Sequence, residues 1–192
     1  MIEGILLSYQ RLKVAQKNVG RVYLDEEKIS LGILDGKRYL DWWKPDWYNT
    51  YNFEEIVNLH KAIIIKMFKD SKETNLWGFK EIRFTTLEKL TLLNEFKELF
   101  PNLKVILHER LNVSDQVKSA WWKGNQTRSF NFLSSVNTDF TKFYKSCKYC
   151  YLSSFENMYD RTNLKNMFEF IDSSNYYDER KISQVLSSNL HR

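Results

Sequence analysis

Trp77-Gly78-Phe79-Lys80-Glu81-Ile82-Arg83-Phe84 is followed, one helical stretch later, by Phe100-Pro101-Asn102-Leu103-Lys104-Val105-Ile106-Leu107-His108-Glu109-Arg110. The relation between these two runs decides the fold. Leu76 to Phe84 reads as a strand. Thr85 with Glu88 has capping-box spacing and opens a helix with Leu87, Leu90, Leu93, Phe96 and Leu99 on one side. Phe100-Pro101-Asn102 breaks that helix, and Leu103 to His108 is an apolar strand of the kind buried on both faces. Strand, helix and strand in this order imply a right-handed crossover and parallel pairing. The second strand ends in a fixed cation, Arg110, and a helix expected from Asn112 to Trp122 carries Ser119. Asn112, Asp115, Gln116 and Ser119 share one face of it.

In an open α/β sheet, ligands sit in the crevice at the carboxyl ends of the strands. A guanidinium there can grip two phosphate oxygens in a planar fork, and a hydroxyl can add one more hydrogen bond. Arg110 and Ser119 are therefore candidates for holding a phosphorylated ligand. The bland alternative is that Arg110 caps a carbonyl or pairs with Glu109 or Asp115 while Ser119 is a small packing residue.

Working outward, the remaining chain supplies more helices and one more strand. Ile5, Leu6, Tyr9, Leu12 and Val14 approximate a helical stripe that Gly20 can end. Asn52 can cap a helix carrying Ile56, Leu59, Ile63, Ile64 and Met67, with Glu55 at its third position. A long helix spans the region of Phe130 to Tyr144, and a third strand lies at Tyr149 to Ser153. Two helices follow, one with Leu164, Met167, Phe168 and Ile171, the other with Ile182, Val185, Leu186 and Leu190. The expected class is α/β in three layers, as one domain over residues 1–192. Trp42-Trp43-Lys44-Pro45-Asp46-Trp47 is an aromatic loop around a proline. Its tryptophans could stack on a sugar or could form a lid packed on the core.

Composition narrows the function classes. The 192 residues include 6 Trp, 11 Tyr and 13 Phe, an aromatic content that calls for a packed core. The net charge of +5 suits an anionic ligand, but the bases are scattered rather than gathered in a block, which argues against a nucleic-acid binder. No run approaches the ~20 apolar residues of a membrane span, and Glu3 interrupts the short apolar start. Cytoplasmic is the expected location. Cys147 and Cys150 lie in a segment that reads as a strand, where residues three apart face opposite sides. Two reduced thiols are expected, and no metal site.

The succession W-G-F-K-E-I-R-F, then L-F-P-N-L-K-V-I-L-H-E-R, then S-A-W-W resembles the central part of PAPS-dependent sulfotransferases, especially bacterial carbohydrate-type members. Tyr151-Leu152-Ser153-Ser154-Phe155-Glu156-Asn157-Met158, followed by Leu164 and Met167-Phe168-Glu169-Phe170-Ile171, resembles that family's strand, Y-E-D-L turn and L-F-x-F-L helix, with Phe155 where Tyr is usual. The resemblance covers roughly Leu76 to Leu190. It implies a P-loop NTPase-like parallel-sheet fold in which Arg110 and Ser119 bind the 3′-phosphate of PAPS, the sulfuryl donor. It also implies a missing part. The family opens with a strand and a Gly/Ser/Thr-rich loop around the 5′-phosphosulfate. Met1 to Leu7 is instead similar to the segment on the carboxyl side of that loop, so the chain is expected to be incomplete at its N-terminus.

The activity the resemblance implies is transfer of a sulfuryl group from PAPS to a hydroxyl of a glycan or similar acceptor, without a metal. A base takes the hydroxyl proton and cations offset charge on the leaving oxygens. Some family members place a catalytic carboxylate near where Glu3 stands, which makes Glu3 the candidate base. Lys80 and Arg83 are candidates for contacts at the sulfuryl or acceptor side, or are a charged pair on an edge strand. Trp42, Trp43 and Trp47 could shape an acceptor glycan site. The competing expectation is a truncated, non-catalytic remnant that binds adenosine 3′,5′-bisphosphate or a partner chain supplying the missing strand. Oligomeric state is not legible in the sequence.

Overall fold

The computed structural model describes residues 2–23, 33–34, 37–38, 52–69, 71, 73–119, 122 and 124–189. In chain order these form α1 (Ile2–Tyr23), β1 (Ile33–Leu34), β2 (Lys37–Arg38), α2 (Phe53–Phe68), α3 (Leu87–Leu99), β3 (Val105–Glu109), α4 (Val113–Val117), α5 (Gln126–Ser146), β4 (Cys150–Ser154), α6 (Arg161–Phe170), a 3-10 turn (Ser174–Tyr176) and α7 (Glu179–Asn189). The class is mixed α/β. β1 and β2 pair antiparallel, and β3 and β4 form a two-stranded parallel sheet in register from Val105↔Cys150 to Glu109↔Ser154. Among the described residues, no helix is long and apolar enough to cross a membrane. The chain divides into two compact units, residues 1–80 with 92–101, and residues 81–91 with 102–192.

In the first unit, Ile2, Leu6 and Tyr9 recur at helical spacing and are all buried. α1 runs on to Tyr23 rather than ending at Gly20. A single glycine costs a helix only about 1 kcal/mol relative to alanine, and no proline follows to break it. α2 begins as expected: the Asn52 side chain accepts from the Glu55 N–H at 3.2 Å. Ile64 is its fully buried residue, and the Tyr9 ring lies against Phe53 and His60. Leu92, Leu93, Phe96 and Leu99 are buried on α3.

The strand expected over Leu76 to Phe84 is not formed; residues 77–85 are neither helix nor strand. Two local causes are visible. In the first unit, Phe79 stacks on Phe68 at 4.0 Å and meets Phe96 at 5.9 Å, while Trp77 sits edge-on to Phe100. These aromatics pack as anchors of a loop instead of alternating across a pleat. In the second unit, the Arg83 N–H donates to Glu81 Oε1 at 3.0 Å, so a side chain takes a donor a ladder would need. The parallel partner of β3 among the described residues is β4, with α4 and α5 forming the crossover.

The rest of the second unit follows its sequence pattern more closely. α3 starts one residue later than the capping-box reading: Thr86 Oγ1 accepts from the Lys89 N–H at 3.4 Å, and the Leu87 N–H donates to Asp139 Oδ2 at 3.1 Å. The ladder of β3 and β4 is extended at both ends, Val105 N–H to the Tyr149 carbonyl and Phe155 N–H to the Glu109 carbonyl, each 2.9 Å. α4 is far shorter than the expected helix from Asn112 to Trp122. Its buried Val113 and Val117 pack with Leu133 of α5 and against Trp122. Leu133, Val136 and Phe143 carry the buried side of α5.

Cys147 and Cys150 form a disulfide with Cα atoms 5.4 Å apart, which corrects the reading of two reduced thiols. The strand starts only at Cys150, and Cys147 is the C-cap of α5. The intervening turn of Lys148 and Tyr149 brings the sulfurs together, so the alternation of a strand does not apply to them.

Candidate functional site

The site is built where β3 ends. Leu107, buried at 4%, anchors the strand, and the Glu109 carbonyl closes the ladder against Phe155. Arg110 is the next residue. Its carbonyl accepts from Asn137 Nδ2 at 2.9 Å, which fixes the backbone from α5. Its guanidinium lies over the Phe155 ring at 4.5 Å, a cation–π contact. Its Nε is buried and has no hydrogen-bond acceptor among the described residues. Buried donors are nearly always paired, so this is the feature of the site that asks for an explanation.

The turn into α4 is already an acceptor-binding device. The N–H groups of Leu111 and Asn112 each donate to the Glu156 carboxylate at 2.9 Å. Asn112 Oδ1 accepts from the Asp115 N–H at 3.1 Å, and its Nδ2 donates to Asp115 Oδ2 at 2.7 Å. Ser119 lies just past α4, half-buried, with its N–H donating to Gln116 O and its carbonyl accepting from Trp122. Arg110 and Ser119 thus bracket one short β3–α4 segment. On β3 itself, His108 Nδ1 and Ser153 Oγ are 3.3 Å apart across the register pair.

Electrostatics sort the carboxylates around Arg110. Partial burial pushes Glu109 above its ordinary value, and Glu156 adds to this. For Glu156, burial also acts upward, but the Asn112 and Leu111 N–H groups and the Arg110 charge outweigh it and hold the group low. Asp115 is lowered by its bond to Lys118, with a smaller part from Arg110. The surroundings of Glu156 therefore favour its ionised form, and those of Glu109 oppose ionisation.

The other expected site residues fall elsewhere. Arg83, in the second unit, is gripped by Glu81 through Nε at 2.8 Å and Nη2 at 2.7 Å. That bond drives the Glu81 pKa down to about 2. Lys80 is exposed at the end of the first unit, and Glu3 is half-buried in the first turn of α1 in that same unit. Trp42, Trp43 and Trp47 lie outside the described residues. Among the described residues, no group of three or more His, Cys, Asp or Glu side chains could hold a metal ion.

Asn137 and the backbone-binding role of Glu156 were missed by sequence reasoning. Asn137 had a signal: it falls on the face of α5 that carries Leu133 and Val136, a polar residue on an apolar stripe. Glu156 had none, because its partners are 44 and 45 residues away. No protein-family model, curated protein or solved structure matches this chain.

Proposed function

We propose that the corner formed by Arg110, Phe155 and the β3–α4 turn binds the 3′-phosphate of an adenosine 3′,5′-bisphosphate group, as part of a sulfotransferase-like domain. One observation carries this reading: a half-buried guanidinium over an aromatic ring, with a buried Nε–H that has no acceptor among the described residues. A phosphate supplies the kind of oxygen that completes such a donor. Arg110 would grip that phosphate, Asn137 and Phe155 would hold Arg110, and Ser119 would add a hydroxyl bond. The finer architecture proposed is a three-layer, P-loop-like parallel sheet. A short parallel pair is normally part of a larger sheet covered on both faces, which supports that reading.

The activity such a ligand would serve is sulfuryl transfer from PAPS to a hydroxyl acceptor, proposed as a glycan, in the cytoplasm. PAPS would bring the transferable group. This chain's part, as far as the geometry supports it, is to bind and orient the donor through its ribose phosphate. Glu3 as base and Lys80 as a cationic contact are separate proposals, each tested by loss of turnover in Glu3→Gln and Lys80→Ala. The second reading, a binding module without transfer, is favoured by the Arg83 guanidinium being held by Glu81.

The test is calorimetric titration with adenosine 3′,5′-bisphosphate. A charge-assisted bond is worth roughly 1.5–3 kcal/mol, so Arg110→Ala is expected to weaken binding by roughly 10- to 100-fold. Equal affinity of the wild type and the variant removes Arg110 from the role. Sulfuryl transfer to a sugar acceptor by the wild type separates the enzyme from the binding module.

A further inference from the structure

We propose that Cys147 and Cys150 are a reversible thiol–disulfide exchange site that accepts electrons from small dithiol reductants. The pair are the only cysteines of the chain, so the disulfide has no competing partner within it. Cys147 is partly exposed at the C-cap of α5, whereas Cys150 is the buried first residue of β4. An external thiolate can therefore reach one sulfur, while the other is sheltered as the leaving and resolving group. The exposed Lys148 lies within the ring and the exposed Lys145 in the last turn of α5, so the segment that carries Cys147 is locally basic, which favours the approach of an anionic attacker.

The bond is badly placed to be a brace. Cross-linking restrains the unfolded chain in proportion to the logarithm of the ring it closes, and a sequence separation of 3 is close to the minimum. The turn it spans is already held by the backbone. The Cys147 N–H donates to the Tyr144 carbonyl at 3.1 Å, and the Tyr149 carbonyl accepts from Val105 at 2.9 Å. Tyr149 itself is buried enough to push its phenol up to about 12. Breaking the disulfide leaves these contacts standing.

The exchange balances as a two-electron step. A thiolate of the dithiol attacks Cys147 Sγ, forming a mixed disulfide while the Cys147–Cys150 bond breaks and its electron pair leaves on Cys150. That thiolate takes a proton from water. The second thiol of the reductant, deprotonated, attacks its own partner's sulfur in the mixed disulfide and releases the Cys147 thiolate, which is protonated in turn. The reductant ends as a cyclic disulfide and the protein as a dithiol.

The experiment equilibrates the intact protein in buffers of graded reduced-to-oxidised dithiothreitol ratio, quenches with an alkylating maleimide and counts labels by mass. The expected result is a reversible two-label transition of the folded protein, with melting temperatures of the two forms within about 8 °C. A disulfide that yields only on unfolding, a reduced form that melts far lower, or a chain that stays a dithiol in air each overturns the proposal. With oxidised glutathione, Cys150→Ala is expected to form a mixed disulfide at Cys147, whereas Cys147→Ala leaves Cys150 unlabelled. Equal labelling of the two variants contradicts the assigned order of attack.

Discussion

Around Arg110 the two neighbouring glutamates respond to different forces, and this yields a signed prediction. Glu109 is raised by burial and by Glu156, so the folded state holds its proton more tightly than the unfolded chain does. Its ionisation therefore subtracts stability as pH rises from the ordinary carboxylate value through the raised one. Glu109→Gln is expected to be more stable than the wild type at pH 7, with the difference shrinking below pH ~4, the unperturbed carboxylate region. Chemical denaturation at the two pH values checks it; no difference at pH 7 contradicts it. Glu81 behaves oppositely. Its folded pKa near 2, against an ordinary 4.5, means its pairing with Arg83 stabilises above 4.5 and is lost as pH falls toward 2. Carbon-detected NMR of the Glu81 carboxyl should show that low midpoint. In Arg83→Met the midpoint should return toward 4.5, and an unchanged midpoint removes Arg83 as its cause.

Elements were legible where a local device fixes them. Asn52 and Asn112 cap helix starts through their own side chains, as their spacing indicates, and a cap needs only neighbours in sequence; Asn125 and Asp160 do the same without having been read as caps. The expected third strand, Tyr149 to Ser153, differs from β4 by one residue at each end. The expected first strand is not formed. Glu81 captures both the side chain and the N–H of Arg83, and whether a strand finds a partner is not written in its own residues. A similar local device ends α6. Asp172 takes a left-handed φ of 55°, letting the Asp172 and Ser173 N–H groups bond the carbonyls of Glu169 and Phe168. Asp172 is exposed and its pair with Lys104 at 3.3 Å is loose. Asp172→Gly should therefore raise stability by about 0.5–1 kcal/mol, the relief of a side chain in that region. A loss of stability on denaturant titration shows that the ion pair matters more than the backbone.

At the scale of the molecule, the aromatic-rich composition called for a packed core, and buried residues of both units supply it: Leu6, Ile64 and Leu99 in one, Leu107, Val117 and Leu133 in the other. The division into two units was not legible, because no proline-, glycine- or serine-rich stretch marks it. Half of the candidate site was. Arg110 follows an apolar strand and announces itself by position. Its supports, Asn137 and Glu156, come from segments far along the chain and are assembled only by folding. The net charge of +5 without a basic block carries a prediction of its own. At physiological salt a 20-nucleotide duplex should give no mobility shift, whereas binding that falls steeply with salt places the charge in a nucleic-acid interface.

The unpaired donor at Arg110 can itself be read. Its Nε–H resonance, assigned by comparison with Arg110→Lys in ¹H–¹⁵N NMR, is to be followed during addition of adenosine 3′,5′-bisphosphate and, separately, of adenosine 5′-monophosphate. A 3′-phosphate clamp requires a downfield shift with the bisphosphate and little or none with the monophosphate. A resonance indifferent to both, or equally moved by both, contradicts such a clamp at Arg110.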